Sequence, residues 1–451
     1  MRFRIATTVA ALAAAVSAPP AAAAELDLPR AVELAFANNP ALAAAREVRS
    51  QVEGGIVEAK ADAFPQIALD SSWGQSRSPS LLNSPDFEDI LEQFPGGSFE
   101  PSTQELSRAV IEVTQPIWTF GKVRAAIDLA ELVADAAGAQ VSTAELDTGN
   151  AVAEAYYRLL AAREGLTTIE ADREFRRRDL ERVASLLEIG EATELEQLRA
   201  GAALAEVEPE VAARQGQVAV AETTLRRLLA LPPGEPLELV EVEQALPEAP
   251  AVEPLVEAGL AARPELADLG YQAAIFEKRK TVTRADGKPQ VEFTGHWGRE
   301  VREIENVDDP LYSTWAFGVG LRWEFFDGGR RRGQVAQLES ERRQVELQLE
   351  DLRARIRLEI DQARSDYQTA IARAAAAEAS AAAAREALRV ARESYEQGVA
   401  NQTDLLDAQS RATQAETIAV SSFYEALIQA SRLARAVGRL PTAGWSSSPE
   451  N

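Results

Sequence analysis

The residues that could do chemistry are few in kind. The chain of 451 residues has no cysteine and one histidine, His296, against 71 aspartates and glutamates. Thiolate nucleophiles, disulfides and multi-histidine metal sites are therefore excluded, and imidazole catalysis would rest on a single side chain. Carboxylates remain. A pair of them can hydrolyse a glycoside when a compact fold fixes their separation. No such fold pattern, hydrolase motif or phosphate loop is written here, so neither an enzyme nor a cofactor site is expected. Carboxylates can also gather cations. Asp404 and Asp407 lie about one helical turn apart and share a face.

The wider charge balance narrows the partners. Net charge is -24, and removal of Arg2 and Arg4 with a leader would take it to -26. Such a surface repels nucleic acid. Residues 1–24 read as a secretory signal: basic Arg2 and Arg4, an apolar run from Ile5 to Ala18, then Pro19-Pro20 and small residues ending at Ala24. No later stretch reaches about 18 uninterrupted apolar residues, so a membrane role would have to be built from strands.

The elements that would position the acids are written twice. Asn39-Pro40-Ala41-Leu42 aligns with Arg263-Pro264-Glu265-Leu266, and Trp73-Gly74 with Trp297-Gly298, both at an offset of 224. Further on, Phe120-Gly121-Lys122 aligns with Gly328-Gly329-Arg330, and Gly190 with Gly398, at an offset of 208. The difference predicts an insertion of 16 residues in the first copy, in the loop Ser76–Glu105, rich in Ser, Pro, Gly and Asn. The organisation expected is a signal at 1–24, a first repeat at 25–231, a linker or side segment at 232–250, a second repeat at 251–441, and a disordered tail at 442–451.

Each repeat carries two strand candidates, about 65–76 and 107–118 in the first, about 289–300 and 313–326 in the second. The clearest runs from Trp315 to Phe325, with aromatic or large aliphatic residues at every odd position and small or charged ones between. That alternation puts one face in an apolar medium, and the length suits a tilted membrane strand of roughly 9–11 residues. Four strands cannot close a barrel, and an open sheet in lipid would leave backbone groups unpaired. The barrel must be shared between chains.

After each strand pair comes a very long helical hairpin, at 122–230 and 330–438. The first arm of each spans about 67 residues, roughly 100 Å at about 1.5 Å per residue, and contains no proline. Leu132, Ala136, Ala139, Thr143, Leu146, Asn150, Ala153, Tyr157 and Leu160 follow the 3–4 spacing of a coiled-coil seam. Gly190 and Gly398 end the first arms, Thr193 and Thr403 can cap the return arms, and Pro209 should kink the first return.

Signal, helix, strand pair and long hairpin, repeated once, resemble the TolC family of outer-membrane efflux proteins over essentially the whole mature chain. The resemblance is carried by Leu34-Ala35-Phe36-Ala37-Asn38-Asn39-Pro40, Phe64-Pro65-Gln66, Gln115-Pro116-Ile117-Trp118 and Phe326-Asp327-Gly328-Gly329-Arg330. It implies a mainly helical protein with a membrane β-barrel. A homotrimer would pool its strands into a 12-stranded barrel in outer-membrane lipid and its helices into a periplasmic tunnel. The family exports small molecules or proteins, as the exit duct of a tripartite efflux pump or type I secretion system. It is opened by a periplasmic adaptor that joins it to an inner-membrane pump.

Two sites are implied by position. The turns around Gly190, Thr193, Gly398 and Thr403 match the tips where the family docks its adaptor. Asp404 and Asp407 match the acids of a closed periplasmic gate, and Glu196 and Tyr395 match a latch between hairpins. Ala400 stands where the family's latch carries an arginine. In the first repeat, Glu196 and Arg199 occupy the places of the acid pair, so the gate is expected from the second. Arg330-Arg331-Arg332 opens a helix against its dipole, close to where lipid head groups would lie. The competing expectation, a periplasmic coiled-coil adaptor without a barrel, explains the hairpins but not Trp315–Phe325.

Overall fold

The computed structural model describes residues 25–77, 103–234, 237–242, 246–301 and 310–441. The expected signal, the tail and most of the long loop lie outside the described residues. Elements run in order as α1 (Leu28–Asn38), α2 (Pro40–Ala61), β1 (Gln66–Arg77), β2 (Thr103–Trp118), α3 (Lys122–Glu188), α4 (Glu194–Leu229), α5 (Val252–Ala262) and α6 (Pro264–Ala285). Then follow β3 (Gln290–Val301), β4 (Ser313–Arg322), α7 (Arg330–Glu396) and α8 (Gln402–Ala436). No described helix is long and apolar enough to cross a membrane.

The backbone repeats as the sequence does. Phe120 and Gly121 take φ +48° and +81° between β2 and α3, and Gly328 and Gly329 take +66° and +92° before α7. The turn glycines Gly190 and Gly398 have φ +82° and +73°. Ala230 and Gly438, also 208 apart, close the return helices at +53° and +77°. Glycine meets this requirement without strain; Phe120 and Ala230 adopt it against the usual preference of a side chain.

The described residues fall into two compact units, and each takes part of both repeats. One comprises Ala44–Ala144 and Arg263–Arg355. It holds an antiparallel sheet in the order β1-β2-β3-β4, whose edges β1 and β4 have no strand partner among the described residues. Its register puts Leu69, Ile111, Trp297 and Trp315 in one row, and Ile67, Val113, Gly295 and Phe317 in another. All are on one face, because side chains alternate along each strand and the register keeps the parity across strands. Ile67, Leu69, Trp73, Ile111, Trp297, Trp315, Phe317, Val319 and Leu321 are between 41% and 73% exposed in the single chain. The opposite face carries Asp70, Arg108, Glu112, His296 and Thr294, with Arg108 paired to Glu112 at 2.8 Å. The sheet thus has one apolar face bare of protein and one polar face, an arrangement suited to lipid outside and water inside.

Two strands differ from expectation. β2 begins at Thr103 rather than about 107, pairing back to Arg77 of β1. β4 ends at Arg322 rather than continuing to about 326. The last rung is Gln290 to Arg322, and Pro289 before it has no N–H to extend the ladder. Trp323 turns away and donates from its indole N–H to the Gly287 carbonyl at 3.1 Å. Beside the sheet, ion pairs tie the helical segments of this unit: Lys60 with Glu131 at 3.7 Å, Lys278 with Asp128 at 2.7 Å and Lys122 with Asp286 at 2.7 Å.

The described residues of the second unit fall within Met1–Ala43, Glu145–Ala262 and Ile356–Asn451. Its core gathers α1 (Ala31, Val32, Ala35), the seam of α3 (Val152, Ala153, Tyr156, Leu159, Leu160), α4 (Leu225, Leu229) and α8 (Leu427, Ile428). Small residues let these helices approach closely, and the aromatic ring of Tyr156 fills what alanine leaves. The segment after α4 is packed here by hydrogen bonds. The Tyr156 hydroxyl reaches the carbonyls of Leu26 and Val240 at 3.0 and 2.8 Å, and the Tyr367 hydroxyl reaches Pro247 at 2.7 Å. α4 runs on through Pro209, flanked by buried Val207 and Val211 packed on Ile169.

Candidate functional site

The acids and turns singled out in the sequence come together at the ends of the two hairpins. α3 stops at Glu188, where the Gly190 and Glu191 N–H groups return to the carbonyls of Leu187 and Leu186 at 3.0 and 2.8 Å. Left-handed Gly190 permits that closure. Thr193 then starts α4 with a capping box. Its hydroxyl accepts from the Glu196 N–H at 3.2 Å, and its own N–H donates to the Glu196 carboxylate at 2.7 Å. These two bonds satisfy backbone donors that the first helical turn leaves unpaired.

The second tip repeats this device. The Gly398 and Val399 N–H groups return to Tyr395 and Ser394 at 3.0 and 2.8 Å. The cap of α8 is Asn401, not Thr403 as expected: Asn401 corresponds to Thr193 at the offset of 208, whereas Thr403 already lies inside the helix. Thr403 instead accepts from Arg199 at 3.4 Å, across to the first hairpin.

Asp404 occupies in α8 the place Glu196 occupies in α4. Its N–H donates to the Asn401 amide oxygen at 3.0 Å, and its carboxylate accepts from the Asn401 N–H at 3.1 Å. Asp407 is exposed and bridged to Arg411 at 2.9 Å. Within one chain the two acids are thus engaged separately, one by the helix start and one by an arginine. Glu196 and Tyr395 are also engaged separately. The Thr193 backbone and hydroxyl, with Arg199 nearby, hold the Glu196 carboxyl below the usual carboxylate range. The Tyr395 ring lies under the Arg182 guanidinium, 4.4 Å from its centre.

Around the turns, large apolar side chains stand in the open: Ile189, Leu195 and Leu198 on the first tip, Val399 at 80% exposure on the second. Exposed apolar residues clustered at a helix end mark a contact surface better than scattered ones do. Among the described residues no cluster of His, Cys, Asp or Glu has the makings of a metal site.

The reading of the sequence missed the polar groups buried just behind the tips. Asp172 and Asp179 on α3, and Gln402 and Gln409 on α8, are each less than a tenth exposed. The signal was available as a spacing of seven on both helices, but acids and amides at such positions read as a solvated face.

Comparison with known proteins follows the same outline. The family described as outer membrane efflux protein matches residues 31–231 and 255–439. Over 434 residues the chain is 24% identical to outer membrane protein OprJ of Pseudomonas aeruginosa, covering 93% of this chain and 85% of that protein. In fold it is similar to the CmeC outer membrane channel of Campylobacter jejuni, at 17% identity and a TM-score of 0.74, covering 93% of this chain and 87% of that one. It is also similar to the outer membrane protein VceC of Vibrio cholerae, at 21% identity and a TM-score of 0.72, with 91% and 96% covered. The open state of the MtrE outer membrane channel of Neisseria gonorrhoeae gives 18% identity and a TM-score of 0.74, with 91% and 89% covered.

Proposed function

The chain belongs to the outer membrane efflux protein family, and from that premise we propose that it acts as one of three identical protomers of an export duct. It is an outer-membrane efflux channel protein that reaches into the periplasm, with the mainly helical, four-stranded fold of its relatives. One observation carries the trimer: the sheet is a four-stranded meander with an exposed apolar face and two edges unpartnered among the described residues. Such edges are untenable in lipid unless neighbouring chains pair with them. Three copies supply twelve strands, enough for a transmembrane barrel. A coiled-coil adaptor without a barrel leaves this sheet without a purpose.

The duct joins, in this reading, a periplasmic adaptor at the tips around Gly190, Thr193, Gly398 and Thr403, and through it an inner-membrane pump. The exposed Ile189, Leu195, Leu198 and Val399 support that docking. The gate is formed by Asp404 and Asp407 from three copies, with Tyr395 and Glu196 helping to hold the hairpins. Because Asp404 is already bonded at the helix start, its charge is fixed in position rather than free to swing. The chain passes cargo and transforms none, so no catalytic residue is assigned.

The absence of native cysteine makes the trimer directly testable. One cysteine introduced on β1 and one on β4 should, on oxidation in the membrane, link chains into dimers and trimers and nothing larger. Chains that stay monomeric under oxidation, or that form longer ladders, would overturn the shared 12-stranded barrel.

A further inference from the structure

The seam between α3 and α8 changes character as it nears the tips. It is apolar at Tyr156, Tyr157 and Leu160 against Tyr424, Leu427 and Ile428. Closer to the turns it becomes two polar rungs. In the first, the Gln409 amide donates to Asp172 at 2.8 Å and to the Thr413 hydroxyl at 3.1 Å. Asp172 also accepts from Arg176 at 2.9 Å, and Arg176 reaches on to the Ala203 carbonyl of α4 at 2.9 Å. In the second, the Gln402 amide donates to Asp179 at 3.3 Å and to the Glu196 carbonyl at 3.2 Å. Asp179 is paired with Arg182, whose guanidinium covers the Tyr395 ring of α7.

The spacing is regular. Asp172 and Asp179 are seven residues apart on α3, Gln402 and Gln409 seven apart on α8, and the antiparallel order matches 172 with 409 and 179 with 402. The side chains of Asp172 and Asp179 are 1% and 3% exposed. Burying two carboxylates is a costly way to join helices. Well-packed apolar residues of similar size often hold as well or better, whereas directional polar rungs fix one register at a cost in stability. One group remains unsatisfied: the Gln402 side-chain oxygen is buried without a hydrogen-bond partner. An unmet buried acceptor penalises the arrangement that contains it. The joint nearest the turn is therefore weaker than its contacts suggest.

We propose that the Asp172–Gln409 and Asp179–Gln402 rungs form a clasp that holds the second hairpin against the first at a strength set for release, and that opening the duct breaks it. The inference rests on the channel reading above and names side chains that hold the closed state, distinct from the acids placed at the gate. The rungs are positioning groups; cargo need never touch them. The unmet Gln402 oxygen gives the released state an advantage, since water or a neighbouring donor can then reach it.

The test uses the full chain reconstituted in planar bilayers. Gln409→Ala removes one donor to Asp172 and should raise the open probability about tenfold, the effect of one modest hydrogen bond. The pair Asp179→Leu with Gln402→Leu replaces a rung by an apolar contact and should lower it about tenfold. A second readout is independent of current. Spin labels on Ser185→Cys and Ser410→Cys in the otherwise cysteine-free chain should show more long separations in the first variant and fewer in the second. Open probability and label distances that stay at the wild-type values in both variants would overturn the clasp. If the wild-type protein conducts nothing, the channel reading falls, and the label distances alone decide the clasp.

Discussion

Asn401 and Asp404 cap the same turn of α8 reciprocally, each backbone N–H bonded to the other's side chain at 3.1 and 3.0 Å. Asp404 therefore carries a structural duty besides any part in the gate, whereas Asp407 pairs with Arg411 at the surface. Asp404→Ala should loosen the start of α8 by about 1 kcal/mol, read as faster amide exchange over residues 402–408. Asp407→Ala should change that exchange little, since an exposed pair contributes roughly 0.2–1 kcal/mol. Together the two substitutions should weaken block of the channel by multivalent cations, and unchanged block would remove both residues from the gate.

The first tip should respond to acid. The Thr193 backbone bond, the Thr193 hydroxyl and Arg199 all hold the Glu196 carboxyl below its ordinary value. A group with a lowered folded-state pKa contributes stability that is whole above its unfolded value and is lost as pH falls through the folded one. Amide protection at residues 193–197 should thus be constant near neutrality and decline below about pH 4.3, the ordinary glutamate value. Glu196→Gln should flatten that decline; a variant that keeps it would place the acid response elsewhere.

Tyr156 anchors the segment between the repeats through one shared hydroxyl proton, on the Leu26 and Val240 carbonyls. Burial pushes that hydroxyl up to about 12, so it stays a donor at any physiological pH. Tyr156→Phe keeps the ring and takes the hydroxyl donor from the Val240 carbonyl, while the Leu26 carbonyl keeps the Val240 N–H at 3.1 Å; the cost is about 1–3 kcal/mol. Limited proteolysis should then cut within residues 231–250 at a lower temperature than in the wild type.

Glycines in the sheet should differ sharply in tolerance. A Cβ at Gly298 would lie 2.2 Å from the Ala109 carbonyl oxygen and 2.5 Å from the Val110 Cα, both backbone atoms of β2. At Gly318 and Gly320 it would meet nothing within 4 Å. Gly298→Ala should therefore reduce heat-resistant assembly recovered from membranes by about tenfold or more, the result of even ~1.4 kcal/mol of lost pairing. Gly318→Ala should assemble as the wild type does.

The architecture was legible because its signals are long and redundant. Strand parity from Val291 to Leu321 and the proline-free arms ended by Gly190 and Gly398 each repeat one message many times over. Single-residue assignments carried no such redundancy. Asn401 and Thr403 are both good caps by type, and the correspondence of Asn401 to Thr193 at the offset of 208, with the chain path after Gly398, decides for Asn401. The end of β4 depended on Pro289, the residue just before β3, which local alternation from Trp315 to Phe325 does not sense. The clasp was hidden for a different reason: charge on a helix ordinarily means water, and Asp172 is buried only because Arg176 and Gln409 meet it there.

Outer-membrane fractionation followed by planar-bilayer recording of the purified full chain is the most direct test of the central claim. The account predicts a protein recovered with the outer membrane that gives discrete, stable conductance steps at trimer stoichiometry. A protein absent from that membrane, or one that inserts and carries no current, would contradict it.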